Sequence, residues 1–89
     1  MIKMMIFAVF RSRSQSIDYS IRLKKFGVPS ETVAAPKEVK IGCGLCVRFE
    51  DRQFQRAKAV MRTGNYTTFK GFYKTEFKNG RMIVLPYSG

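Results

Sequence analysis

Met4-Met5-Ile6-Phe7-Ala8-Val9-Phe10, run directly into Arg11-Ser12-Arg13-Ser14-Gln15-Ser16, is the stretch on which the fold turns. Its first seven residues are apolar, rich in β-formers and too few for a helix, so they predict a buried first strand. The serine cluster behind them supplies several N-cap candidates, and Ser12 with Gln15 has the spacing of a capping box. A helix should follow and stop at Gly27, with Pro29 just beyond it. On that helix Tyr19, Leu23 and Phe26 fall on one side, while Ile17 and Ile21 form a second apolar stripe facing elsewhere.

Outward from this unit the pattern repeats. Thr32-Val33-Ala34-Ala35 reads as a short second strand closed by Pro36, and a loop from Lys37 to Gly44 leads into the strand Leu45-Cys46-Val47-Arg48-Phe49. Glu50 or Asp51 then caps a second helix whose buried face is Phe54, Ala57, Val60 and Met61. Gly64-Asn65 ends it. Phe69 to Phe77 is a fourth strand, Asn79-Gly80 a hairpin turn, and Met82-Ile83-Val84-Leu85 a fifth strand. The class is therefore α+β. Right-handed crossovers predict a ferredoxin-like βαββαβ sandwich, an antiparallel sheet with both helices on one face, plus a C-terminal hairpin strand beside the fourth.

The chain's 89 residues make a single domain, 1–89, with 76–89 as the hairpin extension. A chain of this size buries roughly 60–65% of its unfolded surface, enough for one core. No segment approaches the length needed to cross a bilayer. The apolar run after Lys3 is stopped by Arg11 and Arg13 with no small-residue cleavage site, so it is not read as an export signal. The expected compartment is a reducing cytoplasm, where two cysteines point to reactivity or metal rather than to a structural disulfide. The 17 Lys+Arg against 6 Asp+Glu give a net charge of +11, which attracts polyanions, acidic proteins or small anions. These charges are spread over both halves of the chain, as on an ordinary solvated surface.

Chemistry concentrates in Cys43-Gly44-Leu45-Cys46. Two cysteines and no histidine cannot close a zinc site within one chain, although two chains could share four thiolates. The pair runs into a strand rather than opening a helix, so the two sulfurs would approach only through a tight turn at Gly44-Leu45. Cys46 also suits a small buried strand position. Cys43, in a glycine-flanked loop with Lys37, Lys40 and Arg48 nearby in sequence, reads as a functional thiol. In the expected fold the loops 11–16, 37–44 and 64–68 share one end of the sheet. Arg11, Arg13 and Ser14 at the helix start would then make an anion or partner site beside the thiol. The stretch 70–77 half resembles the aromatic motif of RNA-recognition domains, but it falls on the fourth strand, so its aromatics are expected to be core and edge packing. There is no histidine to act as a base, no usefully spaced carboxylate pair and no glycine-rich nucleotide loop.

Phe26-Gly27-Val28-Pro29, then Ala35-Pro36-Lys37-Glu38-Val39, Cys43-Gly44-Leu45 and Arg48, with Gly71-Phe72-Tyr73-Lys74 towards the end, resembles the selenium/sulfur (Se/S) carrier-like family over roughly residues 4–76. By that resemblance Cys43 is the family's cysteine, and Cys46 stands where a small residue is usual. The expectation is a carrier rather than an enzyme, with no cofactor. The Cys43 thiolate takes sulfur or selenium as a per(seleno)sulfide from a donor protein and passes it to an acceptor, with Cys46 as a resolving thiol. The alternative is a basic module binding RNA or an acidic protein. A homodimer could form on the Ile17/Ile21 stripe or on the last strand's edge, and no membrane partner is expected.

Overall fold

The computed structural model describes residues 4–35 and 44–88. Its elements are β1 (Met5–Phe10), α1 (Arg13–Lys25), β2 (Glu31–Ala34), β3 (Leu45–Glu50), a short 3-10 turn (Asp51–Gln53), α2 (Phe54–Thr63), β4 (Phe69–Lys78) and β5 (Arg81–Pro86). The strands form one antiparallel sheet in the order β2-β3-β1-β4-β5. The final strand pairs with β4 at the edge of the described sheet, as the Asn79-Gly80 turn predicts. Both turn residues have positive φ, 53° and 75°, the conformation a two-residue hairpin turn needs.

Strand β1 is buried on both sides, and its alternation divides the core. Ile6, Ala8 and Phe10 face the layer that contains Tyr19, Leu23 and Val28 from α1 and its end, Phe54, Ala57 and Val60 from α2, and Val47 and Phe49 from β3. Both helices thus cover one face. Phe7 and Val9 point the other way, into a smaller cluster with Cys46, against which Met5, Val33, Ala35 and Tyr73 pack.

Aromatic rings tie the helical layer to β4. The Phe10 centroid lies 5.4 Å from Tyr19, 5.5 Å from Tyr66 and 5.3 Å from Phe69, and Phe72 lies 5.0 Å from both Phe54 and Phe69. Phe69 and Phe72 are three residues apart in a strand and would face opposite sides of a regular one. A bulge shifts the β1–β4 register between Val9 and Phe10, and Gly71 takes φ 133° there, which returns Phe69 to the helical side. Phe72 is therefore core packing, as expected for the aromatics of 70–77, whereas Phe77 is 75% exposed.

Two sequence expectations about α1 change in detail. Phe26 does not join Tyr19 and Leu23 inside; it is 48% exposed, and Val28 takes the buried place. The helix ends in a Schellman turn: Gly27 N donates to Lys24 O at 3.1 Å, and Val28 N to Leu23 O at 2.8 Å, with Gly27 at φ 77°. That reversal folds Val28 back onto Leu23 and sends Phe26 outward. At the other end Ser12 caps as expected, its Oγ accepting from Gln15 N. The reciprocal half of the capping box does not form, because the Gln15 amide is engaged elsewhere.

The second helix also begins later than Glu50 or Asp51 would set. Residues 51–53 form the 3-10 turn, and the Glu50 side chain makes no capping bond to it.

Candidate functional site

The elements that meet at one end of the sheet are the start of α1, the start of β3 and the stretch before β4. Arg11 N donates to Thr68 O at 2.9 Å, and Ser12 N to Thr68 Oγ1 at 3.2 Å. The Gln15 amide reaches the same stretch: Thr68 N and Thr68 Oγ1 donate to Gln15 Oε1 at 3.0 and 2.7 Å, and Gln15 Nε2 donates to Thr67 Oγ1 at 3.2 Å. The side chain that a capping box would fold back onto Ser12 is spent locking α1 to the residues before β4. Thr68 Oγ1 takes over the Ser12 N–H instead.

The third stretch is reached through Ser16. This residue is fully buried, and its Oγ donates to Leu45 O at 3.1 Å. Gly44 O, one residue earlier, accepts from Ala35 N at 2.8 Å and extends the β2–β3 hairpin towards the rim. Gly44 is the covalent neighbour of Cys43. Cys43, Lys37 and Lys40 lie outside the described residues, as does most of the loop that bears them.

Arg11, Arg13 and Ser14 are exposed at the start of α1, and Ser14 Oγ lies 2.8 Å from Ser12 Oγ. The first N–H groups of a helix have no intrahelical acceptor, and α1 carries no acidic side chain in its first turn, so the local potential is positive. Arg48 is placed differently from the other cations. It lies opposite Phe7 on the helix-free face and pairs with Glu31 across β2–β3. Its charge is neutralised there, two residues further along the strand from Cys46.

Cys46 is fully buried beside Val9 and Val33, with Sγ directed at Ala34 O at 4.0 Å. A thiol so enclosed would have to be uncovered before it met a persulfide or a zinc shared with a second chain. The packing role that its strand position suggested accounts for it.

A second network, which the sequence did not single out, braces α1 against α2. Tyr66 Oη donates to Asp18 Oδ2 at 2.7 Å and accepts from Arg22 Nε at 3.1 Å, while Tyr19 Oη donates to Ala57 O at 2.6 Å. Burial pushes the Tyr19 hydroxyl up, helped by Tyr66. Tyr66 is raised by desolvation and by its bond to Asp18, against an opposing pull from Arg22. Ser16, Gln15, Thr67 and Thr68 were likewise missed as positioning groups. The signal in reach was a serine and a glutamine inside a capping pattern that the helix needed only in part.

The described residues also form surface hollows away from the rim. One of about 220 Å³ is lined by Asp18, Ile21, Arg22, Lys25 and Phe26, and one of about 240 Å³ by residues including Met5, Glu31, Arg48 and Glu50. Both are smaller than the roughly 300–1,000 Å³ of small-molecule sites. No helix among the described residues is long and apolar enough to cross a membrane.

The family model described as "Putative Se/S carrier protein-like" matches residues 5–74, from β1 into β4, leaving the β5 hairpin outside the match. No curated protein and no solved structure matches the chain.

Proposed function

The chain belongs to the Se/S carrier protein-like family, and from that premise we propose that it is a non-enzymatic carrier whose working group is the Cys43 thiolate. The observation that carries this reading is the Ser16–Leu45 bond. It joins the chain just after Cys43 to the first turn of α1, where Arg11 and Arg13 are exposed. Positive potential at such a rim favours thiolate over thiol, and the thiolate is the reactive form.

Loading needs no net oxidation. The Cys43 thiolate attacks the outer sulfur of a donor persulfide; the donor's S–S bond breaks, a new S–S bond forms on Cys43, and the donor leaves as a thiolate. The proton on the outer sulfur travels with it. Delivery is the same step with an acceptor thiolate as the attacking group, and selenium would replace the outer sulfur without altering the electron count. Cys46 could release hydrogen sulfide by attacking the loaded Cys43 and closing a disulfide, but its burial argues for direct transfer to the acceptor.

We read the βαββαβ part as ferredoxin-like. Antiparallel pairing of β1 with both β3 and β4, and the gathering of both helices on one cluster, support that. The test of function is incubation with a cysteine desulfurase and cysteine, followed by intact-mass analysis. The carrier gains sulfur and Cys43→Ser does not. A wild type that gains none, or a Cys43→Ser variant that gains as much, rules the reading out.

A further inference from the structure

The outer flank of α1 carries large apolar side chains that stay exposed. Ile17 and Ile21, one helical turn apart, are 42% and 61% exposed, and Phe26 beyond them is 48% exposed. A single exposed isoleucine is ordinary; two on adjacent turns of one helix, with an exposed Phe26 just past its end, are not. Ile21 and Phe26 border the hollow of about 220 Å³, whose rim includes Arg22 and Lys25 together with Asp18. Exposed Arg13 stands at one end of the flank, and exposed Lys24 and Lys25 at the other. The helix's one carboxylate, Asp18, accepts a hydrogen bond from Tyr66.

Resting on the carrier reading above, we infer that this flank is the docking surface for the donor protein that loads Cys43, and that this partner presents an apolar patch rimmed with carboxylates. Charge selects that occupant. Against a second copy of this chain, Arg13, Lys24 and Lys25 would meet a net charge of +11. Against nucleic acid, the two isoleucines would find nothing to pack on. An acidic-rimmed apolar patch satisfies both features, the isoleucines giving affinity and the cations steering the encounter.

Position supports the same role. Ile21 stands only about 8 Å along the helix axis from Ser16, at about 1.5 Å per residue. Ser16 in turn holds Leu45, two residues from Cys43. A partner seated on Ile17 and Ile21 is therefore on the helix that Ser16 ties to the start of β3.

The test compares two ways of loading Cys43: from a cysteine desulfurase with cysteine, and from inorganic polysulfide, which needs no docking. Two variants are used, Ile17→Ser with Ile21→Ser, and Lys24→Glu with Lys25→Glu. All four positions are exposed, so folding should be retained, and circular dichroism checks it. The expected result is a roughly ten-fold or greater fall in desulfurase loading for both variants, with polysulfide loading unchanged. Wild-type loading by the desulfurase should also weaken as salt rises. Undiminished desulfurase loading in both variants overturns the docking surface, as does a wild type that loads from polysulfide alone.

A wild type that loads from neither source overturns the carrier reading instead. The surface is then decided by NMR titration with a leucine-rich, glutamate-flanked helical peptide. Shifts centred on Ile17, Ile21 and Lys24 uphold it. Shifts centred elsewhere, no shifts, or the same flank responding to an RNA oligonucleotide or to self-association overturn it.

Discussion

At Gly64 the backbone is extended, yet a Cβ there would lie 2.4 Å from the Tyr66 ring. That ring packs edge-on against Phe10 and Tyr19 and carries the Asp18–Tyr66–Arg22 hydrogen bonds. Gly64→Ala should therefore displace Tyr66 and cost about 1–3 kcal/mol in urea unfolding, as overpacking does; a neutral result would show that the ring can step aside. Tyr19 gives a pH prediction. Burial raises its hydroxyl's pKa above the unfolded value, so the folded state holds that proton more tightly. The resulting stability is intact below about pH 10, the unfolded tyrosine value, and is lost as pH climbs beyond it. Tyr19→Phe should flatten that alkaline decline while costing about 1 kcal/mol at neutral pH through the lost bond to Ala57 O. Neither tyrosine's partner was legible in the sequence, because the bonds join residues 38 and 48 positions apart and leave no local pattern. Of the two cysteines, Cys43 lies outside the described residues; Cys46 is buried opposite Val9 on the helix-free side, where alternation sets its face but not its cover.

Among the elements, α1 carries most of the account. Its N-cap was readable, since Ser12 three residues before Gln15 is a local signal; Ser12→Ala should cost about 1 kcal/mol. The destination of the Gln15 side chain was not readable. Thr67 and Thr68 offer it a better set of partners, and only the tertiary fold brings them near. Gln15→Ala should expose the Thr68 amide and speed its hydrogen exchange well beyond that of neighbouring β4 amides; equal protection would contradict the lock described here. The exit of Phe26 was missed for a related reason. The 3.6-residue period continues through position 26, but the Schellman turn at Gly27 ends it one residue sooner and recruits Val28. The β4 bulge was likewise hidden, since Lys70-Gly71 only becomes a bulge once β1 sets the register.

For the whole molecule, the start of α1, the start of β3 and the stretch before β4 are gathered at one end of the sheet, the end to which the proposed carrier role is assigned. Strand alternation, helix stops and the Asn79-Gly80 turn were enough to order the elements, because each is a local signal that the sheet then obeys. Charge was legible only as a total. The structure distributes its roles: Arg48 neutralised by Glu31, Arg56 donating to Phe26 O at the end of α1, and Arg11 and Arg13 exposed at the rim. In the proposed role sulfur rides on Cys43 and leaves again. The most direct measurement is a pulse and chase with radiolabelled cysteine and a desulfurase, in wild type, Cys43→Ser and Cys46→Ser. The account predicts label approaching one sulfur per chain in wild type and Cys46→Ser, none in Cys43→Ser, and its loss when an acceptor thiol is added. Label that persists in Cys43→Ser, or that an acceptor thiol cannot remove from the wild type, would contradict it.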